Sequence, residues 1–171
     1  MVIFAISGSF RHGSSNTSLL HTMKSLAPAG NEFIIYDKIG ELPHFNPDLD
    51  NEKVPPEVKE LRGMLNRSDA IVISTPEYAH GIPGSLKNAL DWLVSTVLLE
   101  NKPVAVILGS ASEGSFAKDA LLEVLRTMNA KVGPQLVLTV SGVRMKTADP
   151  KLWHELKTLA EEIVLTARPQ S

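Results

Sequence analysis

Cysteine is absent from all 171 residues. That single absence removes disulfides, thiolate metal sites, iron–sulfur ligation and thiol nucleophiles together, so any redox chemistry must reside in a bound organic group. No charge of one sign prevails. The 17 Lys and Arg stand against 19 Asp and Glu, a formal net charge of −2. Without a basic face or run there is no nucleic-acid footprint. Without heavy acidity there is no docking face of the kind a small electron carrier uses on basic partners. No apolar stretch is long enough to cross a bilayer, and Met1 to Ser7 has neither the basic start nor the length of a leader, so no membrane partner and a cytoplasmic location are expected. A Gly-x-Ser-x-Gly elbow is missing, and no Ser is tied to a base by local spacing, which excludes the usual hydrolase layouts. No acidic residue ends the first apolar run, so a phospho-aspartate and metal site has no carboxylates to use, and neither a catalytic side chain nor a metal ligand set is assigned.

What is present is regular alternation. A hydrophobic content of 43% suits one domain over residues 1–171 with a two-sided core. Short β-branched runs predict strands at Val2 to Ser7, Glu32 to Tyr36, Ala70 to Thr75, Pro103 to Ser110 and Gln135 to Val140. Between them, Val58, Leu61 and Leu65 recur at helical spacing after Pro55-Pro56. Leu86, Ala89, Leu90, Leu93 and Val97 do the same along a helix read from Ser85 to Thr96. Ala120, Val124 and Met128 stripe a fourth segment, and Trp153, Leu156, Ala160 and Ile163 the last. Strict alternation of strand and helix predicts an α/β class chain with a flavodoxin-like, doubly wound, five-stranded parallel sheet, order 2-1-3-4-5, with helices on both faces. Asp37 to Val54, rich in Pro, Asn and Asp, reads as a surface connection.

In that topology ligands bind beyond the carboxyl ends of the first and third strands, where the strand order reverses. The first strand runs into Ser-Gly-Ser-Phe-Arg-His-Gly-Ser-Ser-Asn at residues 7–16, a hydroxyl-rich turn at a helix start. Gly8 and Gly13 have Walker A spacing, yet Ser14 and Ser15 occupy the places of the lysine and hydroxyl, so nothing reaches a β- or γ-phosphate. Ser9, Ser14, Ser15, Asn16 and Thr17 with the Arg11 fork instead suit one terminal phosphate, and flavin mononucleotide (FMN) is the common ligand of that kind. The plain alternative is a capped helix start. After the third strand, residues 76–84 (Pro-Glu-Tyr-Ala-His-Gly-Ile-Pro-Gly) form a shaped loop. Tyr78 there can lie beside a planar ring, Glu77 reads as a surface carboxylate, helix-dipole partner or ion-pair member, and His80 as a polar loop residue. After the fourth strand, the small residues 109–115 permit close backbone approach. Trp92 is expected in the core or against another subunit.

Together, Gly8-Ser9-x-Arg11-x-x-Ser14-x-Asn16, Pro76-Glu77-Tyr78 and Pro83-Gly84-x-Leu86-Lys87-Asn88-Ala89-Leu90-Asp91-Trp92 resemble the NADPH-dependent FMN reductase family, which includes quinone, chromate and azo-dye reductases. The resemblance implies a flavodoxin-like fold with one non-covalent FMN per subunit, in a homodimer or homotetramer. It places Ser9, Arg11, Ser14, Ser15 and Asn16 on the phosphate, Pro76, Glu77 and Tyr78 along the isoalloxazine, and Ser110 beyond its other edge. It further implies NADPH or NADH as hydride donor and a ping-pong exchange with a quinone, flavin, azo or metal-oxyanion acceptor. Two positions depart from the family pattern: Ala79 stands where Asn is common, and Glu113-Gly114-Ser115 replaces a glycine pair. An electron carrier or FMN-binding module without nicotinamide turnover is the alternative, and the near-neutral charge weighs against it.

Overall fold

The computed structural model describes residues 1–110, 114–142 and 149–168. Five parallel strands form one sheet in the order β2-β1-β3-β4-β5, with β1 at Val2–Ser7, β2 at Glu32–Tyr36, β3 at Ala70–Thr75, β4 at Val104–Ser110 and β5 at Val137–Ser141. Along β1, Phe4 and Ile6 point into one layer and Ile3 and Ala5 into the other, the period-two alternation that a sheet covered on both faces demands. The first layer is closed by α2 (Pro56–Asn66), α3 (Gly84–Asp91) and α4 (Ser115–Thr127), the second by α1 (Ser15–Leu26) and α5 (Pro150–Ala167). Every residue of β3 and β4 is buried, whereas the edge strands β2 and β5 are only partly so. Each fully buried Ile or Leu contributes about 1.5–3 kcal/mol relative to exposure, so the two layers carry the fold. Among the described residues no helix is long and apolar enough to cross a membrane.

The topology and the first three strands match the expected bounds, and the departures have local causes. Strand β4 begins at Val104 because Pro103 has no N–H for the ladder; its carbonyl still accepts from Ile71 N at 3.0 Å. Pro134–Leu136 winds as a 3-10 turn, so β5 starts two residues later than predicted and runs on to Ser141. In α4 the buried stripe is Ala117, Leu121 and Leu125, with the predicted Ala120 exposed and Val124 and Met128 only half-buried. In α5, Leu152 takes the seam and Trp153 lies outside it, 55% exposed.

Helix α3 ends at Asp91 rather than Thr96. The carbonyl of Trp92, which a longer helix would give to the N–H of Thr96, accepts instead from the Arg62 guanidinium, at 3.1 Å from Nε. Thr96 N turns to Leu93 O at 3.0 Å, and the chain leaves the helix with Val97 76% exposed. Arg62 also holds Asp50 at 2.7 Å, and hydrogen bonds from Ser95 and Arg62 keep that carboxyl below its usual range. The connection after β2 is therefore anchored from three points. Asn88 Oδ1 accepts from Phe45 N at 2.8 Å, and Pro43 O accepts from both Asn88 Nδ2 (3.0 Å) and Trp92 Nε1 (2.8 Å). The Asn88 to Trp92 part of the helix motif thus clamps a loop, and Trp92 is a fully buried core residue.

Candidate active site

The loop after β1 is held from beneath. Gly8 N donates to Ser74 O at 2.7 Å, fastening the end of β1 to β3. Inside the turn, Thr17 Oγ1 donates to Ser7 Oγ and Ser7 Oγ to Ser9 O, both at 2.9 Å, so the buried hydroxyls brace the loop from within. Ser14 N closes a turn on Arg11 O at 3.0 Å, and Gly13 takes φ +68°, a left-handed position open to glycine without steric cost. Ser14 is the N-cap of α1, yet its side chain makes no capping hydrogen bond. The first turn of the helix therefore directs N–H groups and a positive dipole end at the loop without a capping side chain from Ser14. Residues 7–16 contain no carboxylate, and among the described residues nothing binds the Arg11 guanidinium. A loop of this composition fits a phosphate dianion, and a Cβ at Gly8 would close its floor, standing 2.5 Å from Thr75 Oγ1.

Seven of the nine residues expected at the cofactor line one cavity of about 260 Å³: Ser9, Arg11, Ser14, Ser15, Asn16, Pro76 and Tyr78, with Gly109. Asn16 lines it with a committed side chain, since Nδ2 donates to Gly109 O and Oδ1 accepts from Ser74 Oγ, each at 3.0 Å. It ties α1 to the ends of β3 and β4. Glu77 and Ser110 are not among the residues lining that cavity. Glu77 Oε2 accepts from Ala117 N at 2.9 Å in the first turn of α4, the helix-dipole role among its alternatives. Ser110 is buried at the end of β4, in register with Ser141. Residues 111–113, part of the expected small-residue loop, lie outside the described residues.

A second space of about 350 Å³ adjoins the first through Ser9, Arg11 and Tyr78, and is also lined by Phe10, Pro83 and Gly84. Phe10 was not among the expected residues. Its ring is 68% exposed and lies against Gly40, where a Cβ would come within 3.2 Å of it. An exposed aromatic inside a hydroxyl-rich turn was a usable signal, because nothing in a capped helix start calls for one. Tyr78, 53% exposed, lines the same space.

Residues 78–81 make a tight turn closed twice, Tyr78 N to Gly81 O and Gly81 N to Tyr78 O, both at 2.9 Å. Its central residues Ala79 and His80 have φ +49° and +59°, the type I′ conformation that Asn-Gly adopts at least cost. His80 stacks on Phe116, ring centroids 4.4 Å apart and planes 10° from parallel. Because Ala tolerates this region poorly and Asn tolerates it well, Ala79→Asn should stabilise the protein by about 0.5–1 kcal/mol. A thermal melt should then rise by roughly 2–4 °C per kcal/mol, and a fall would show that the turn carries no strain at this position.

Residues 1–144 match the family model of NADPH-dependent FMN reductases. The chain belongs to that family. It is 31% identical over 156 residues to a quinone reductase of Escherichia coli (strain K12), covering 87% of this chain and 81% of the relative. It is 35% identical over 116 residues to an NAD(P)H-dependent FMN reductase of Pseudomonas aeruginosa, covering 67% and 61%. Among solved structures, the flavoenzyme NAD(P)H:(acceptor) oxidoreductase of Paracoccus denitrificans superposes with a TM-score of 0.78 at 27% identity, over 97% of this chain and 96% of that one. The protein is an FMN-dependent NAD(P)H oxidoreductase with a flavodoxin-like fold.

Proposed function

We propose that the protein reduces small electron acceptors of the quinone class in a ping-pong cycle, with nicotinamide and acceptor using one position in turn. The observation that carries the site assignment is Arg11, a cation without a protein partner among the described residues, at a carboxylate-free loop beside a helix start. Arg11 with the hydroxyls and N–H groups of Ser9, Ser14 and Ser15 would hold the FMN phosphate. Pro76 and Tyr78 on one side and Phe10 on the other would border the isoalloxazine and keep water from it. Glu77 holds the first turn of α4 through Ala117 N beside the site. Bound FMN supplies the two-electron chemistry, so the chain needs no acid, base or nucleophile of its own and works by positioning. We place it in the cytoplasm as one domain over residues 1–171. We assign it a homodimer or homotetramer, a reading supported by Val94 and Val97, 61% and 76% exposed beyond α3.

The test is the visible spectrum of the purified protein with FMN, followed anaerobically after mixing with NADH or NADPH and then with a quinone. Bleaching by a nicotinamide and recovery on adding quinone is the expected course. Bound flavin that neither nucleotide bleaches would make the protein an electron carrier, and absence of bound flavin would overturn the assignment of the loop.

A further inference from the structure

A third cavity, of about 340 Å³, lies on the β2 side of the same loop; it shares Ser9, Phe10, Arg11 and Ser14 with the assignment above, while His12, His21 and Asp37 belong to it alone. Three elements build it: the loop itself, the outer face of α1 at Thr17, Ser18 and His21, and the chain leaving β2 at Asp37 and Ile39. Arg11, His12, His21 and Asp37 all line it, and among the described residues none of the four side chains has a hydrogen bond or ion pair. Phe10 and Ile39 supply apolar wall. Cationic and hydroxyl donors, one carboxylate and an aromatic ring on its wall complement a ribonucleotide, which offers phosphate acceptors, ribose hydroxyl donors and a flat base.

The carboxylate stands at a telling place. Strand β2 is the neighbour of β1 in the sheet, so Asp37, immediately after it, lies one strand away from the phosphate loop. In doubly wound folds that bind dinucleotides on the first loop, an acid after the second strand accepts from the adenosine ribose; here that loop is assigned to the FMN phosphate, and the carboxylate alone is shared with those folds. We propose that this cavity receives the adenosine half of the nicotinamide coenzyme and that Asp37 makes the enzyme prefer NADH to NADPH. The inference rests on the flavoenzyme reading of the adjoining site, where Arg11 is committed to the FMN phosphate. A free 2′-hydroxyl donates a charge-assisted hydrogen bond to the carboxylate. A 2′-phosphate would instead bring roughly −1.5 to −2 charges against it. Lys38, the next residue, is already engaged with Glu60 at 2.9 Å, and His12 and His21 remain as the groups that would meet the coenzyme's phosphates.

Calorimetric titration with adenosine 5′-monophosphate and with adenosine 2′,5′-bisphosphate, which differ only in the 2′-phosphate, tests this on the protein with and without FMN. The monophosphate should bind the wild type about tenfold or more tightly than the bisphosphate. Asp37→Asn should bring the two within about threefold of each other, and Asp37→Arg should favour the bisphosphate. The ratio of bleaching rates with NADH and NADPH should follow the same order, while FMN affinity stays unchanged in both variants. Equal binding of the two probes, tighter binding of the bisphosphate to the wild type, binding of neither, or a ratio indifferent to residue 37 would overturn the proposal. Failure to bind FMN would refute the flavoenzyme reading, and dependence of the probe ratio on residue 37 in the FMN-free protein would still decide whether the cavity takes the adenosine.

Discussion

Arg11→Ala should weaken FMN binding by about a hundredfold while leaving the melting temperature of the FMN-free protein nearly unchanged. Hydrogen bonds to charged groups contribute roughly 1.5–3 kcal/mol each, and a guanidinium can direct two at one phosphate, so a loss near 3 kcal/mol is the central expectation. The second half of the prediction follows from the fold. Arg11 is exposed and, among the described residues, holds no protein partner, so its truncation removes no native contact and belongs with surface changes within about ±0.5 kcal/mol. Fluorescence titration of the apo-protein with FMN, beside thermal melts with and without the flavin, separates the two effects. Full FMN affinity in the variant would mean that the backbone N–H groups and hydroxyls suffice and that the arginine serves some other ligand. Arg11→Lys should recover only part of the loss, because an ammonium offers a point charge where the guanidinium offers a planar fork.

Much of this arrangement was legible in the chain because the causes are local. A strand buried on both faces must be a short continuous run of Val, Ile and Ala, so Ala-Ile-Val-Ile-Ser-Thr at 70–75 announced both its type and its ends. Residues Ser7 to Asn16 announced a tight turn at a helix start, which the structure places there, because its glycines and hydroxyls are adjacent in sequence. What escaped reading depends on distant partners. Nothing in Trp92 to Thr96 says that a guanidinium 30 residues earlier will capture the Trp92 carbonyl and end the helix. The bracing role of the Asn16 side chain was not legible, because its partners, Ser74 and Gly109, lie 58 and 93 residues away. Glu77 likewise found its role only when α4 arrived with an N–H to offer. The shifted stripes of α4 and α5 have a simpler origin: each helix has apolar residues on two adjoining faces, and only packing chooses which faces the sheet.

The same distinction between local and distant causes makes Gly8 the most exacting position of the site. Its conservative replacement, Gly8→Ala, should destabilise the protein by about 1–3 kcal/mol and weaken FMN binding as well. Read from sequence, Gly8 is one glycine of a loop. In the fold an added Cβ would stand 2.5 Å from Thr75 Oγ1, 2.9 Å from Thr75 Cβ and 3.2 Å from Leu86 Cδ2. None of these can swing away easily. Thr75 is fully buried and β-branched, its hydroxyl donating to Pro76 O at 3.1 Å, and Leu86 is on the buried face of α3. The strain must therefore pass into the backbone, and the nearest bond to give is Gly8 N to Ser74 O, which sets the distance between the β1 and β3 loops. Those are the two loops that line both adjoining cavities. The clash can be relieved independently by shortening the other side, so a double-mutant cycle isolates it. Thr75→Gly removes both nearest atoms and should be destabilising by itself. Combined with Gly8→Ala it should cost less than the sum of the two single changes, by at least 1 kcal/mol in stability, and recover part of the lost FMN affinity. Additive single effects would mean that the loop yields elsewhere and that the close approach of Gly8 to Thr75 does not fix the shape of the site.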